Sequence, residues 1–211
     1  NIEIDFKTKK TKIFMNENLR ALTGHLEEIG RLGGVMGVLH WDQEVIMPEG
    51  AVEARAGQMS ALAGVIHDKC TDPQIGKWLK QLEEDQSLEL FDRANIREAR
   101  RDYERQVKVP KDLVQAMTEL KALAHPVWVQ ARKENSYADF APQLARWVEL
   151  KTRWAKCINL KKLPYDVNID SYERDETMER LDLVFQRLKE ELIPLINTIR
   201  NVQKLDGPQF L

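Results

Sequence analysis

A chain of 211 residues, 43% apolar and 31% charged, is long enough for one well-packed domain and has the balance of a globular protein rich in amphipathic helix. Its 32 Lys and Arg against 34 Asp and Glu leave a formal net charge of −2 with no long block of like charge, which argues against nucleic acid as a partner. There is no run of about 18 apolar residues to cross a membrane, no secretion signal opens the chain, and Cys70 and Cys157 stand far apart outside any Cys-x-x-Cys, so a cytoplasmic protein with reduced thiols is expected.

Residues 1–14 are polar and rich in Lys and Thr around a strand-like Ile2 to Phe6, and read as an extension or mobile arm ahead of a helical region over 15–211. From Leu19 the apolar residues recur at three and four, through Leu22, Leu26, Ile29, Leu32, Met36 and Leu39 to Trp41. This helix tolerates Gly30, Gly33, Gly34 and Gly37, each costing about 1 kcal/mol relative to Ala. Such a helix is expected to be buried against neighbours that approach it closely. Pro48 to Gly50 breaks it. A second helix follows from about Val52 to His67 with Met59, Leu62, Val65 and Ile66 inward.

Asp72-Pro73 supplies a capping carboxylate and a proline suited to a first helical position. The helix it opens carries Ile75, Trp78, Leu79 and Leu82. The next runs from about Leu88 to Gln106, with Phe91, Ala94, Ala99 and Tyr103 inward, and Pro110 opens its successor. Pro126 is expected to kink or restart that helix. Ala141-Pro142 reads as another helix entry, Leu163 to Asp166 as a loop, and Asp175 or Thr177 as the start of a last long helix from Met178 to Ile196. Pro194 should bend the end of that helix, and Gly207-Pro208 stops it. The expectation is all-α, a single multi-helix domain of seven or eight helices.

Few residues offer chemistry. None of His25, His40, His67 and His125 is paired with another at the i, i+4 spacing that places two metal ligands on one helical face. His40 and Glu44 do share a face, and a cleft or surface hydrogen bond explains them more cheaply than a metal. The arginines from Arg97 to Arg105 are interleaved with acids and suit intrahelical ion pairs. The five tryptophans, Trp41, Trp78, Trp128, Trp147 and Trp154, are most simply core anchors. Trp41-Asp42-Gln43, an indole beside a carboxylate and an amide at a helix end, could line a peptide-binding cleft or could be purely structural.

The order Trp41-Asp42-Gln43-Glu44, Met47-Pro48 and then Glu53-x-Arg55-x-x-Gln58 resembles the opening of the carboxypeptidase Taq family of metallocarboxypeptidases. The likeness continues through Arg97 to Glu104 with Val109-Pro110, and through Trp128-x-x-Ala131-Arg132 with Phe140-Ala141-Pro142. It ends with Tyr165-Asp166, Asp170-x-Tyr172-Glu173, Thr177 and Leu181, and in all covers about residues 17–200. Pro126 departs from the family pattern, as does Arg174-Asp175 where the family usually has Pro-Gly.

The resemblance implies the N-terminal half of a cleft-shaped helical metallopeptidase that removes C-terminal residues from peptides with broad specificity. It also implies zinc or cobalt in the full-length parent, held by a His-Glu-x-x-His and a downstream Glu. That motif occurs nowhere in these 211 residues, so no catalytic or metal-ligating residue is assigned and the chain alone is expected to be inactive. Trp41, Asp42 and Gln43 remain as substrate-cleft candidates. Peptides are the implied substrates. Self-association or a homodimer is expected of a cleft wall cut from its other half. The rival expectation is a non-catalytic helical module for interaction or dimerisation, from a truncated paralogue.

Overall fold

The computed structural model describes residues 16–201. The proposed arm over 1–14 and the stop at Gly207-Pro208 lie outside them. Eight α-helices follow one another among the described residues: α1 (Glu17–Val45), α2 (Val52–Cys70), α3 (Pro73–Glu83), α4 (Leu90–Gln106), α5 (Lys111–Glu134), α6 (Tyr137–Ile158), α7 (Pro164–Ile169) and α8 (Met178–Asn201), with a 3-10 turn at Glu49–Ala51 before α2. No strand is present among the described residues, and the all-α class is the one the periodicity implies.

The helices start where local chemistry allows. Asn16 caps α1 by accepting from the Asn18 amide at 2.9 Å, and Asp72 caps α3 by accepting from the Gln74 amide at 2.8 Å with Pro73 behind it. Pro110 precedes α5. Helix α5 then continues through Pro126 to Glu134 without a break in the helical assignment. Two boundaries differ from expectation. Helix α6 begins at Tyr137, so Pro142 lies inside it, and the loop expected at Leu163 to Asp166 is the entry to the short helix α7.

The chain falls into two compact units divided between Leu150 and Lys151, within α6. No proline, glycine or polar run marks that point, so composition is silent about it. In the first unit α1 packs on α2 and α3, α3 on α4, and α2 lies along α5. One core gathers Leu22, Ile75, Leu79, Leu82, Leu88 and Ile96; a second gathers Ala56, Met59 and Ala122, flanked by Met36 and Leu39. Gly64 allows the close approach of α2 and α5, since a Cβ there would lie 2.8 Å from Gln115 Nε2.

Several inward expectations are corrected. Val65 is exposed, while His67, two residues on and so on the other side of α2, is buried. Phe91 is exposed while Ile96 carries the buried face of α4. Arg100 reaches across to α3, where Nε and Nη2 form a fork on both oxygens of Glu83 at 2.8 and 2.9 Å, rather than pairing only along its own helix. The glycines of α1 face open space, with nothing within 4 Å of a Cβ built at Gly30, Gly33, Gly34 or Gly37.

In the second unit Ala155 and Val167 are buried, and Asp166 at the start of α7 accepts from the Met178 amide at 2.8 Å, fixing the first turn of α8. Thr177 Oγ1 accepts from the Arg180 amide at 3.3 Å, which makes Thr177 rather than Asp175 the start signal for α8. Helix α8 buries no residue, although Phe185, Leu188, Leu192 and Ile196 recur on it with helical spacing.

Candidate functional site

Successive residues on a helix point about 100° apart, and the end of α1 shows the consequence. Trp41, Asp42 and Gln43 go three different ways. Trp41 is 55% exposed, so it is no core anchor; Trp128, at 46%, is not one either. Asp42 turns toward α2, where its Oδ2 accepts from Arg55 Nη2 at 2.5 Å. The same guanidinium donates to the Leu39 carbonyl at 2.8 Å and to Gln58 Oε1 at 3.1 Å. The Glu-x-Arg-x-x-Gln sequence of α2 is thus partly a clamp on the last turns of α1.

Gln43 turns toward α5. Its Nε2 donates to the Ala122 carbonyl at 2.8 Å. That carbonyl stands four residues before Pro126 and would have accepted the amide hydrogen that proline lacks. Gln43 therefore supplies from α1 the hydrogen bond that Pro126 removes from α5. Its own Oε1 is buried with no hydrogen-bond donor, and an acceptor left in that condition costs about 1–3 kcal/mol.

Beside Gln43 lies a pocket of about 280 Å³. Helix α1 contributes His40, Gln43 and Glu44; α5 contributes Lys121, His125 and Trp128; and the first half of α6 contributes Phe140, Leu144 and Trp147. His125 Nε2 stands 3.9 Å from Glu44 Oε1, and the His125 ring lies 6.0 Å from the Trp128 ring at a tilt of 31°. Burial holds the His40 imidazole below its ordinary pKa; Lys121 and His125 add to the shift and Glu44 opposes it. His40 is accordingly neutral at pH 7.

The i, i+4 relation of His40 and Glu44 was visible in the sequence. Their partners on α5 and α6 were not, because nothing local relates residues so far apart in the chain. Among the described residues no group of three or more His, Cys, Asp or Glu is arranged to hold a metal ion. The 3.9 Å contact between Glu44 and His125 is not a ligand set, and the described residues do not fit a catalytic metal. Cys70 and Cys157 are free thiols, and burial pushes the Cys70 thiol upward, with Asp102 adding to it. No described helix is long and apolar enough to cross a membrane.

The chain has clear relatives among known proteins. It belongs to the carboxypeptidase Taq (M32) metallopeptidase family, whose model matches residues 21–210. Thermostable carboxypeptidase 1 of Thermus thermophilus is 33% identical, the match covering 84% of this chain and 36% of that protein. The solved structure of Trypanosoma cruzi metallocarboxypeptidase 1 superposes with a TM-score of 0.73 at 31% identity, over 92% of this chain and 39% of that one. The crystal structure of BsuCP shares the fold at a TM-score of 0.83 and 24% identity, over 88% of this chain and 38% of that one. The chain thus spans little more than a third of the length of the relatives it matches.

Proposed function

We propose that this chain is the N-terminal helical region of a metal-dependent carboxypeptidase that removes C-terminal residues from peptides with broad specificity, and that it forms one wall of the substrate cleft. The observation that carries this reading is the family match running over residues 21–210. In the proposed parent, zinc or cobalt is held by a His-Glu-x-x-His and a further Glu supplied by other sequence. The metal would polarise the scissile carbonyl and activate water. None of the residues described here takes part in that step. Of Trp41, Asp42 and Gln43, the reading gives contact with peptide to the side of α1 that carries Gln43, while Asp42 holds the helix end in place through Arg55.

A second reading is favoured by α8, whose Val184, Phe185, Leu188 and Leu192 are all exposed. It is a non-catalytic module that self-associates through this face. One set of measurements separates the two. The complete reading frame of the gene is expressed, and it and the pure 211-residue chain are incubated with a C-terminally free tripeptide and zinc or cobalt. Metal-dependent release of the last amino acid by the complete product, and none by the 211-residue chain, is expected. Release by the 211-residue chain would overturn the proposed division of labour. A reading frame without His-Glu-x-x-His, together with a stable dimer by light scattering, would leave the interaction module as the function.

A further inference from the structure

The pocket between α1, α5 and α6 lies on the Gln43 side of α1, and its aromatic walls and bordering charges have a chemistry that the Arg55 clamp does not use. Three aromatic walls, Trp128, Phe140 and Trp147, enclose a space of about 280 Å³, large enough for a bulky side chain and too apolar to suit a fully hydrated ion. Two opposite charges border it. Glu44 on α1 keeps its carboxylate more than half exposed and, among the described residues, meets His125 at the long distance of 3.9 Å. Lys121 on α5 is exposed and makes no ion pair among the described residues.

A ligand complementary to this arrangement carries a positive and a negative group close together on an apolar body. A simple cation would meet Glu44 but be opposed by Lys121. A simple anion would meet Lys121 but be opposed by Glu44. A neutral apolar group would fill the walls and leave both charges unanswered. A zwitterion answers both.

We propose that this pocket binds a free α-amino acid with a large apolar side chain, its ammonium group toward Glu44, its carboxylate toward Lys121 and its side chain between Trp128, Phe140 and Trp147. The site needs no metal and no residue outside this chain, so it stands or falls independently of the carboxypeptidase reading. Charge-assisted hydrogen bonds at the two ends set the selectivity, and the aromatic walls set the size of the side chain.

Isothermal titration calorimetry on the 211-residue chain tests the proposal, with L-phenylalanine, N-acetyl-L-phenylalanine and L-phenylalaninamide as probes. L-phenylalanine is expected to give saturable binding, and blocking either end to weaken it by about tenfold or more. Glu44→Gln should weaken phenylalanine binding and remove the penalty for acetylation. Lys121→Met should weaken it and remove the penalty for amidation. Both side chains are exposed, and circular dichroism of each variant confirms that the helices are retained. Absence of saturable heat with phenylalanine at millimolar concentration would overturn the proposal. So would equal binding of all three probes, which would reduce the site to an apolar groove, or phenylalanine affinity unchanged in both variants.

Discussion

Pro126 has no amide hydrogen to give to the Ala122 carbonyl, and Gln43 meets that deficit from a different helix. The two residues form one unit although they lie far apart in the chain, Gln43 reaching 79 positions along it to the Ala122 carbonyl. Gln43→Leu keeps the bulk of the side chain and removes the donor. The carbonyl left without a partner costs about 1–3 kcal/mol, but the variant also removes the orphaned Oε1, so the net fall in unfolding free energy should be about 1 kcal/mol or less. Restoring the helical amide with Pro126→Ala should cut that cost to less than half, since residue 126 can then donate to Ala122 directly. Urea denaturation of the wild type, both single variants and the double variant measures the coupling; strictly additive effects would separate the two residues. The sequence made both residues conspicuous, one as part of a Trp-Asp-Gln motif and the other as a proline within a helical pattern. It could not join them, since hydrogen-bond partners on different helices leave no periodic trace. It also took Trp41, Asp42 and Gln43 together, whereas the 100° step of an α-helix sends them toward different neighbours.

At the level of helices, periodicity located α1 to α6 and α8 because each has at least one face with apolar residues at three and four. It did not tell which faces have a partner. Helix α1 illustrates the difference. Its glycines invited the expectation of close neighbours, as Gly64 of α2 has, yet those of α1 meet nothing within 4 Å. Val35, Val38, Trp41 and Val45 of the same helix are exposed as well. A helical glycine in open space carries only the entropic penalty of its backbone, so Gly33→Ala should raise stability by about 0.5–1 kcal/mol. Chemical denaturation of the 211-residue chain checks this. Destabilisation instead would mean that another surface lies against that face of α1 in solution. The same reasoning explains the missed helix α7. Six residues, Pro164 to Ile169, are too few to show a period, and what holds α7 is Pro164 at its start with Val167 buried.

For the whole molecule, the nearly balanced charge of −2 gives little net repulsion near neutrality, so the pH dependence of folding is set by individual groups. Two imidazoles dominate the range just below neutrality. His67 is buried, and burial is the main reason its pKa falls below the usual value of 6.5; Lys111 adds to the shift while Asp68 and a hydrogen bond with the Val109 backbone oppose it. His40 is lowered in the same sense. In the unfolded chain both rings take up a proton as the pH falls through about 6.5, whereas the folded protein resists. The unfolded state therefore binds more protons there, and stability rises with pH across this window and is lost as the pH drops below it. Glu28 and Asp85, whose carboxyls are held below their ordinary values chiefly by hydrogen bonds with Lys69 and Ser87, act in the same direction only at lower pH. The urea midpoint should thus decline between about pH 7.5 and about pH 5.5. His67→Gln removes one of the two titrating rings, so the slope over this interval should be shallower in the variant whatever its stability at pH 7.5. The slope is the informative quantity: a change in packing shifts the whole curve, whereas only the loss of a titrating group flattens it. An unchanged slope in His67→Gln would assign the pH dependence to other groups, with His40 the first to examine.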